Sequence, residues 1–153
     1  MSHIRTQIRN KIKNNLSNIT FNGDLLPVFF DDPSNIQPNR FPCIAIKSSD
    51  ETSDIKTLGG ANRYLDRLYS IEVSIVVMSN TNLQEKIDDI SVELEKAMSE
   101  DKSKITLDGL VKDSRVVRVA FEFDEVQQKQ VALAQYLYEF RYMNIQSDPE
   151  TSI

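Results

Sequence analysis

Val131–Ile145, VALAQYLYEFRYMNI, is the stretch on which the fold turns. Its even positions, Ala132, Ala134, Tyr136, Tyr138, Phe140 and Tyr142, form the period-two apolar series of a β-strand, whose side chains alternate between two faces. The odd positions add Val131, Leu133, Leu137 and Met143 among Gln135, Glu139 and Arg141. A strand apolar on both sides predicts two partners: its own core on one side and, in a chain this short, a second copy of the molecule on the other. Just upstream, Val116–Phe123 (VVRVAFEF) alternates in the same way. Val117, Val119, Phe121 and Phe123 are apolar around Arg118 and Glu122, which predicts a strand with one buried face. The polar run Glu125–Gln130 reads as the hairpin loop between the two.

Further upstream, Arg63–Met78 predicts a long strand with Ile71, Val73, Ile75 and Val77 on its core side. Phe41–Lys47 predicts another, with Ile44 and Ile46 inward, and Leu25–Phe30 a short edge strand because Pro27 lacks a ladder donor. Between them Ser48–Asn62 (SSDETSDIKTLGGAN) sustains no apolar period. It reads as a long mobile loop or extended hairpin tip bending at Gly59-Gly60, a candidate partner-binding element with Asp54, Ile55, Lys56, Leu58 and Arg63. Ile4, Ile8, Ile12 and Leu16 recur every four residues along an N-terminal helix with Ser2 as its expected cap. Leu83, Ile87, Ile90, Leu94, Ala97 and Met98 mark a second helix.

This element order predicts an α+β protein. The expected architecture is a two-layer sandwich with a mainly antiparallel sheet of about four to five strands and two helices on one face. Residues 1–146 make one domain, and 147–153 are expected to fray. The uncovered face, with Arg118, Leu137, Glu139 and Arg141, is the expected oligomer interface.

Composition narrows the function. The net charge of −5 disfavours sequence-specific nucleic-acid binding, which draws on Lys and Arg against phosphates, and Arg5, Arg9, Lys11 and Lys13 read as a solvated helix face. Cys43 is the sole thiol and His3 the sole imidazole, so neither a disulfide nor a Cys/His zinc site is expected. The absence of a signal-like or membrane-length apolar run predicts a soluble protein from a reducing compartment, without a membrane partner. Gly59-Gly60 lacks the lysine and hydroxyl of a phosphate loop. The carboxylate groups Asp31-Asp32, Asp88-Asp89 and Glu122/Asp124/Glu125 read as ordinary solvated charge, and no base accompanies the serines. A non-enzymatic protein without cofactor or metal is expected.

The helix IRTQIRNKIKNNL, the run RLYSIEVSIVVMS leading into NLQEKIDDISVELEKAM, and the closing pair RVVRVAFEFDE and VALAQYLYEFRYM resemble the tail-terminator and neck proteins of tailed bacteriophages. The resemblance covers Ile4 to Ile145 and lies in element order and pattern. It implies a hexameric ring at the tail–neck junction of the virion, assembled in the host cytoplasm. Such a ring caps the tail tube or sheath and joins it to the head connector, with DNA passing through its lumen. Two readings from other classes stand beside it. One is a soluble adaptor that binds a protein partner through residues 48–62. The other is a metal-dependent hydrolase using Asp31 and Asp32.

Overall fold

A computed structural model describes residues 2–57, 59–126 and 128–153. The first helix, α1 (Ile4–Leu16), buries Ile4, Ile8, Ile12 and Leu16 completely, the four-residue stripe read from sequence. Its cap is His3 rather than Ser2: the His3 Nδ1 accepts from the Arg5 amide at 3.0 Å, so the imidazole does the work expected of a hydroxyl. Burial, followed by the nearby Arg5 charge, lowers the His3 pKa, which keeps that acceptor lone pair free. After α1, Asn22 and Gly23 both adopt positive φ (53° and 84°) between β1 (Thr20–Phe21) and β2 (Asp24–Leu25), the two-residue hairpin that an Asn-Gly pair favours.

The main sheet follows. β3 (Val28–Phe29), β4 (Cys43–Ile55), β5 (Tyr64–Ser79), β6 (Asp113–Val126) and β7 (Lys129–Ile145) assemble in the order β3-β4-β5-β7-β6. Only β3 and β4 are parallel. The hairpin read between the last two strands is tighter than Glu125–Gln130, since both strands continue to Val126 and Lys129; Gln127 lies outside the described residues. The second long helix, α2 (Leu83–Ser99), packs over β5 and β7 and against α1, and a single turn, α3 (Lys102–Ile105), follows it. The result is the α+β sandwich expected from sequence, with the long helices on one face.

Register explains the core. Ile44 faces Ile75, which faces Ala134; Ile46 faces Val73, which faces Tyr136. Cross-strand partners share a face, so these rows all meet the helices. Burying the four α1 side chains stabilises the fold by about 1.5–3 kcal/mol each before chain entropy is charged. A smaller cluster lies on the opposite face, where Ile36, with Phe29 and Phe41, folds back over Cys43, Ala45, Val76 and Val131. Cys43 is therefore a buried hydrophobe, but under the 30–41 segment rather than under the helices. Burial pushes its thiol up to about 12, so it stays in the unreactive thiol form near neutral pH.

Three expectations are corrected. Of the two readings of Ser48–Asn62, the mobile loop gives way to the hairpin over Ser48–Ile55: β4 runs through it, paired residue by residue from Asp50↔Ser70 to Ile55↔Leu65, with a bulge between Ser48 and Asp50. Its polar sequence follows from having solvent on both sides of much of its length, so no apolar alternation marks it. The tail 147–153 is tied back. Pro149 O accepts from the Ile4 amide at 2.9 Å, Glu150 O from Gln7 Nε2 at 2.8 Å, and the Ile153 amide donates to Met143 O at 2.8 Å. The first of these satisfies one of the amides that a helix start leaves unpaired. Finally, β6 has no buried face of the kind its alternation suggests. Phe121 and Phe123 are each 54% exposed, because α2 stops over β5 and β7 and β6 lies outside its cover.

Candidate assembly surface

The face opposite the helices is built from rows that run across four strands. Lys47, Glu72, Leu137 and Arg118 form one row; Asp50, Ser70, Glu139 and Arg115 form the next; Thr52, Leu68, Arg141 and Asp113 form a third. A bulge at Val117 brings Arg115 and Arg118 to this same face although they are three residues apart. The structure thus brings together the four residues expected at an interface, Arg118, Leu137, Glu139 and Arg141.

Their charges are used differently from one another. Arg141 donates from Nε and Nη2 to both oxygens of Asp66, at 3.0 and 2.8 Å, a geometry that fits a planar guanidinium. Glu139 accepts from Arg115 at 3.3 Å, and Gln135 donates to Glu72 at 2.9 Å. Arg118 has no ion-pair or hydrogen-bond partner among the described residues, and neither do Glu122, Asp50 and Asp54.

The expected partner loop joins this surface instead of standing apart. Asp54 pairs with Asp66 in register, and Lys56 Nζ lies 3.7 Å from the same Asp66 that holds Arg141. Ile55 ends β4 and is exposed. Arg63 shapes the tip of the arm that the β4–β5 hairpin makes: its Nε donates to Gly60 O at 2.9 Å, while its own carbonyl accepts from the Gln146 amide. Leu58 lies outside the described residues. Sequence reasoning missed Asp66 and Arg115, and the only signal for them was strand parity, which needs the register to become a contact.

Asp66 carries a pH signature. Its hydrogen bonds from Arg141, then the charges of Arg141 and Lys56, outweigh burial and hold its carboxyl below the ordinary range. A folded pKa below the unfolded one stabilises the fold above the unfolded value and loses that contribution as pH falls through the folded value. Asp66→Asn is therefore expected to unfold at lower urea than the parent at pH 7, and the gap should close as pH drops below about 4. A gap of equal size at pH 3 would mean that the ion pair is not its source.

The remaining carboxylates belong to local structure. Asp31 accepts from the Asp32 amide and Asn35 Nδ2, and Asp32 accepts from Ser34 and from Lys47 Nζ at 2.7 Å. The hydrogen bond from Lys47, then those from Ser34, bring Asp32 down to about 2. Both side chains are occupied in shaping the turn at 31–35. Among the described residues, no group of three or more His, Cys, Asp or Glu is placed to hold a metal ion, and no helix is long and apolar enough to cross a membrane.

No protein-family model matches this chain, and no curated protein matches its sequence. The reading of this surface rests on its own chemistry.

Proposed function

We propose that this protein is a ring-forming structural component of a tailed-phage virion. It acts at the tail–neck junction, capping the tail tube or sheath and joining it to the head connector. The observation that carries the reading is a sheet left open at both sides. β6 is an edge strand along all of Asp113–Val126, and β3 covers β4 only at Ile44 and Ala45, so the outer edge of β4 has no strand partner from Ile46 to Ile55 among the described residues. Long bare edges invite pairing with other chains, and a protein that functions in an assembly closes them there. The resemblance in element order to tail-terminator and neck proteins agrees with this.

The mixed, largely satisfied open face suits contact with other virion proteins more than catalysis. The adaptor reading needs a free loop, whereas the arm's tip is anchored by Gln146 and Ser147, whose amides donate to Arg63 O and Ala61 O. Native mass spectrometry and negative-stain microscopy of the full chain, alone and with purified tail tubes, test the proposal. Closed rings, hexameric by the family resemblance, are the expected result. A protein that stays monomeric at high concentration and does not bind tube ends would overturn it.

A further inference from the structure

The four long strands lie in the order β4-β5-β7-β6, each antiparallel to its neighbour. A second copy placed beyond β6 in the same orientation therefore presents its β4 antiparallel to β6. We infer that β6 of one protomer adds to the Lys47–Ile55 edge of β4 in the next, head to tail, making one continuous sheet around the ring. This rests on the ring reading and names its contact.

Charge supports the pairing. On the open face β6 runs from basic to acidic: Arg115 and Arg118, then Glu122 and Asp124. The free part of β4 runs from Lys47 to Asp50 and Asp54. Antiparallel placement sets each half against the opposite sign. The register is also limited. Glu122 shares a row with Cys43, next to the stretch of β4 that β3 occupies, so β6 must climb to reach the bare edge. When Glu122 reaches the row of Lys47, Arg118 stands opposite Thr52 with Asp50 and Asp54 on its diagonals, and Arg115 faces Asp54. Arg118, Asp50 and Asp54, whose side chains lack partners among the described residues, each gain one, and Glu122, likewise unpartnered among them, comes beside Lys47, which Asp32 also holds. On the helix side, Phe123 comes beside the row of Ile46. Phe121 comes to the groove that Thr6, Arg9 and Ser48 line between α1 and β4.

The climb from the row of Cys43 to that of Lys47 is four residues, and each protomer contributes four long strands. Shear then equals strand number whatever the number of copies. Closed barrels with that ratio have strands tilted by about 36°, within the ordinary range. A two-fold pairing of β6 with β6 would also oppose Arg118 to Glu122. It would leave the β4 edge and its acids bare, whereas head-to-tail addition closes the bare part of β4 and β6 up to Phe123 with one contact.

The test uses engineered disulfides in the full chain, where buried Cys43 is a silent background. Arg118→Cys/Thr52→Cys should oxidise to a ladder of linked oligomers ending in a closed ring. Arg118→Cys/Glu122→Cys, which can link only across a two-fold, should not cross-link between chains. Arg118→Glu should weaken association on the order of tenfold, and adding Asp50→Lys/Asp54→Lys should restore it. Rings that form without the Arg118–Thr52 link would overturn this contact and leave the ring reading standing. Efficient two-fold linkage that stops at dimers would overturn the head-to-tail arrangement. Monomers in every variant, with and without tail tubes, would sink both.

Discussion

Phe140→Ala is expected to lower the stability of the isolated protomer by about 3–5 kcal/mol, read as a drop in the urea midpoint with little change in slope. Phe140 is completely buried, pairs with Tyr69 on β5 and Ser114 on β6, and leans against Tyr138 with ring centroids 6.3 Å apart. Removing its ring leaves a cavity between the sheet and the helices that stiff neighbours cannot close. The adjacent rings of Tyr136 and Tyr138 stack at 6.0 Å, and the Tyr136 hydroxyl is held by Glu95 at 3.2 Å, so that side chain is not free to slide into the gap. Native domains are stable by only about 5–15 kcal/mol, so this single truncation takes a large share. Phe140→Leu, closer in volume, should recover most of the loss. A loss below about 1 kcal/mol for the alanine variant would mean that the site collapses, and that the aromatic row is not the rigid floor of the core.

That row was the most legible part of the sequence, because one face of β7 is buried from Ala132 to Asn144 and burial imposes strict alternation. The helices were legible for the same reason, with Ile4, Ile8, Ile12 and Leu16 all fully buried. What alternation could not convey was which strand lies at the edge. β6 alternates as cleanly as β7, yet Phe121 and Phe123 are half exposed, since periodicity reports a two-sided environment and is silent on whether one side is protein. The reverse difficulty arose at Ser48–Ile55, where Ile55 is the sole apolar residue and no alternation separates a hairpin strand from a loop; the strand is held by its pairing with β5 and by side chains such as Glu51. Arg118, Leu137, Glu139 and Arg141 were placed on one face correctly because parity was sufficient there. Arg115 was missed because the bulge at Val117 changes the parity. Asp66, the partner of Arg141, is 75 residues away in the chain and is found only through register.

The second large effect is expected inside the Ser48–Ile55 segment. Glu51, with its side chain 11% exposed, accepts from the Tyr142 hydroxyl at 2.5 Å and from Arg67 Nη1 at 3.2 Å, and Arg5 lies 3.6 Å away. Three strands and α1 thus meet at one carboxylate. Glu51→Ala leaves the Arg67 guanidinium, only 14% exposed and already carrying an unpartnered buried Nε, without its counter-charge, at a cost of about 3–5 kcal/mol. Burial raises the Tyr142 pKa, so its hydroxyl stays protonated and loses its acceptor as well. Replacing both partners, Glu51→Leu with Arg67→Met, removes the stranded charge and should recover that part of the loss, leaving the cost of the Tyr142 hydroxyl without its acceptor. The cluster also fixes the edge proposed to receive β6, since Glu51 sits between Asp50 and Thr52 on β4. Amide exchange at Thr52–Ile55 should therefore rise toward that of the arm's tip in Glu51→Ala and remain slow in the double variant. Unchanged exchange together with a loss below about 1 kcal/mol would show that Arg67 reaches solvent and that backbone pairing alone holds the edge. A rise in both variants would instead make the charge itself, rather than the packing around it, what keeps the edge straight enough to add a neighbour's strand.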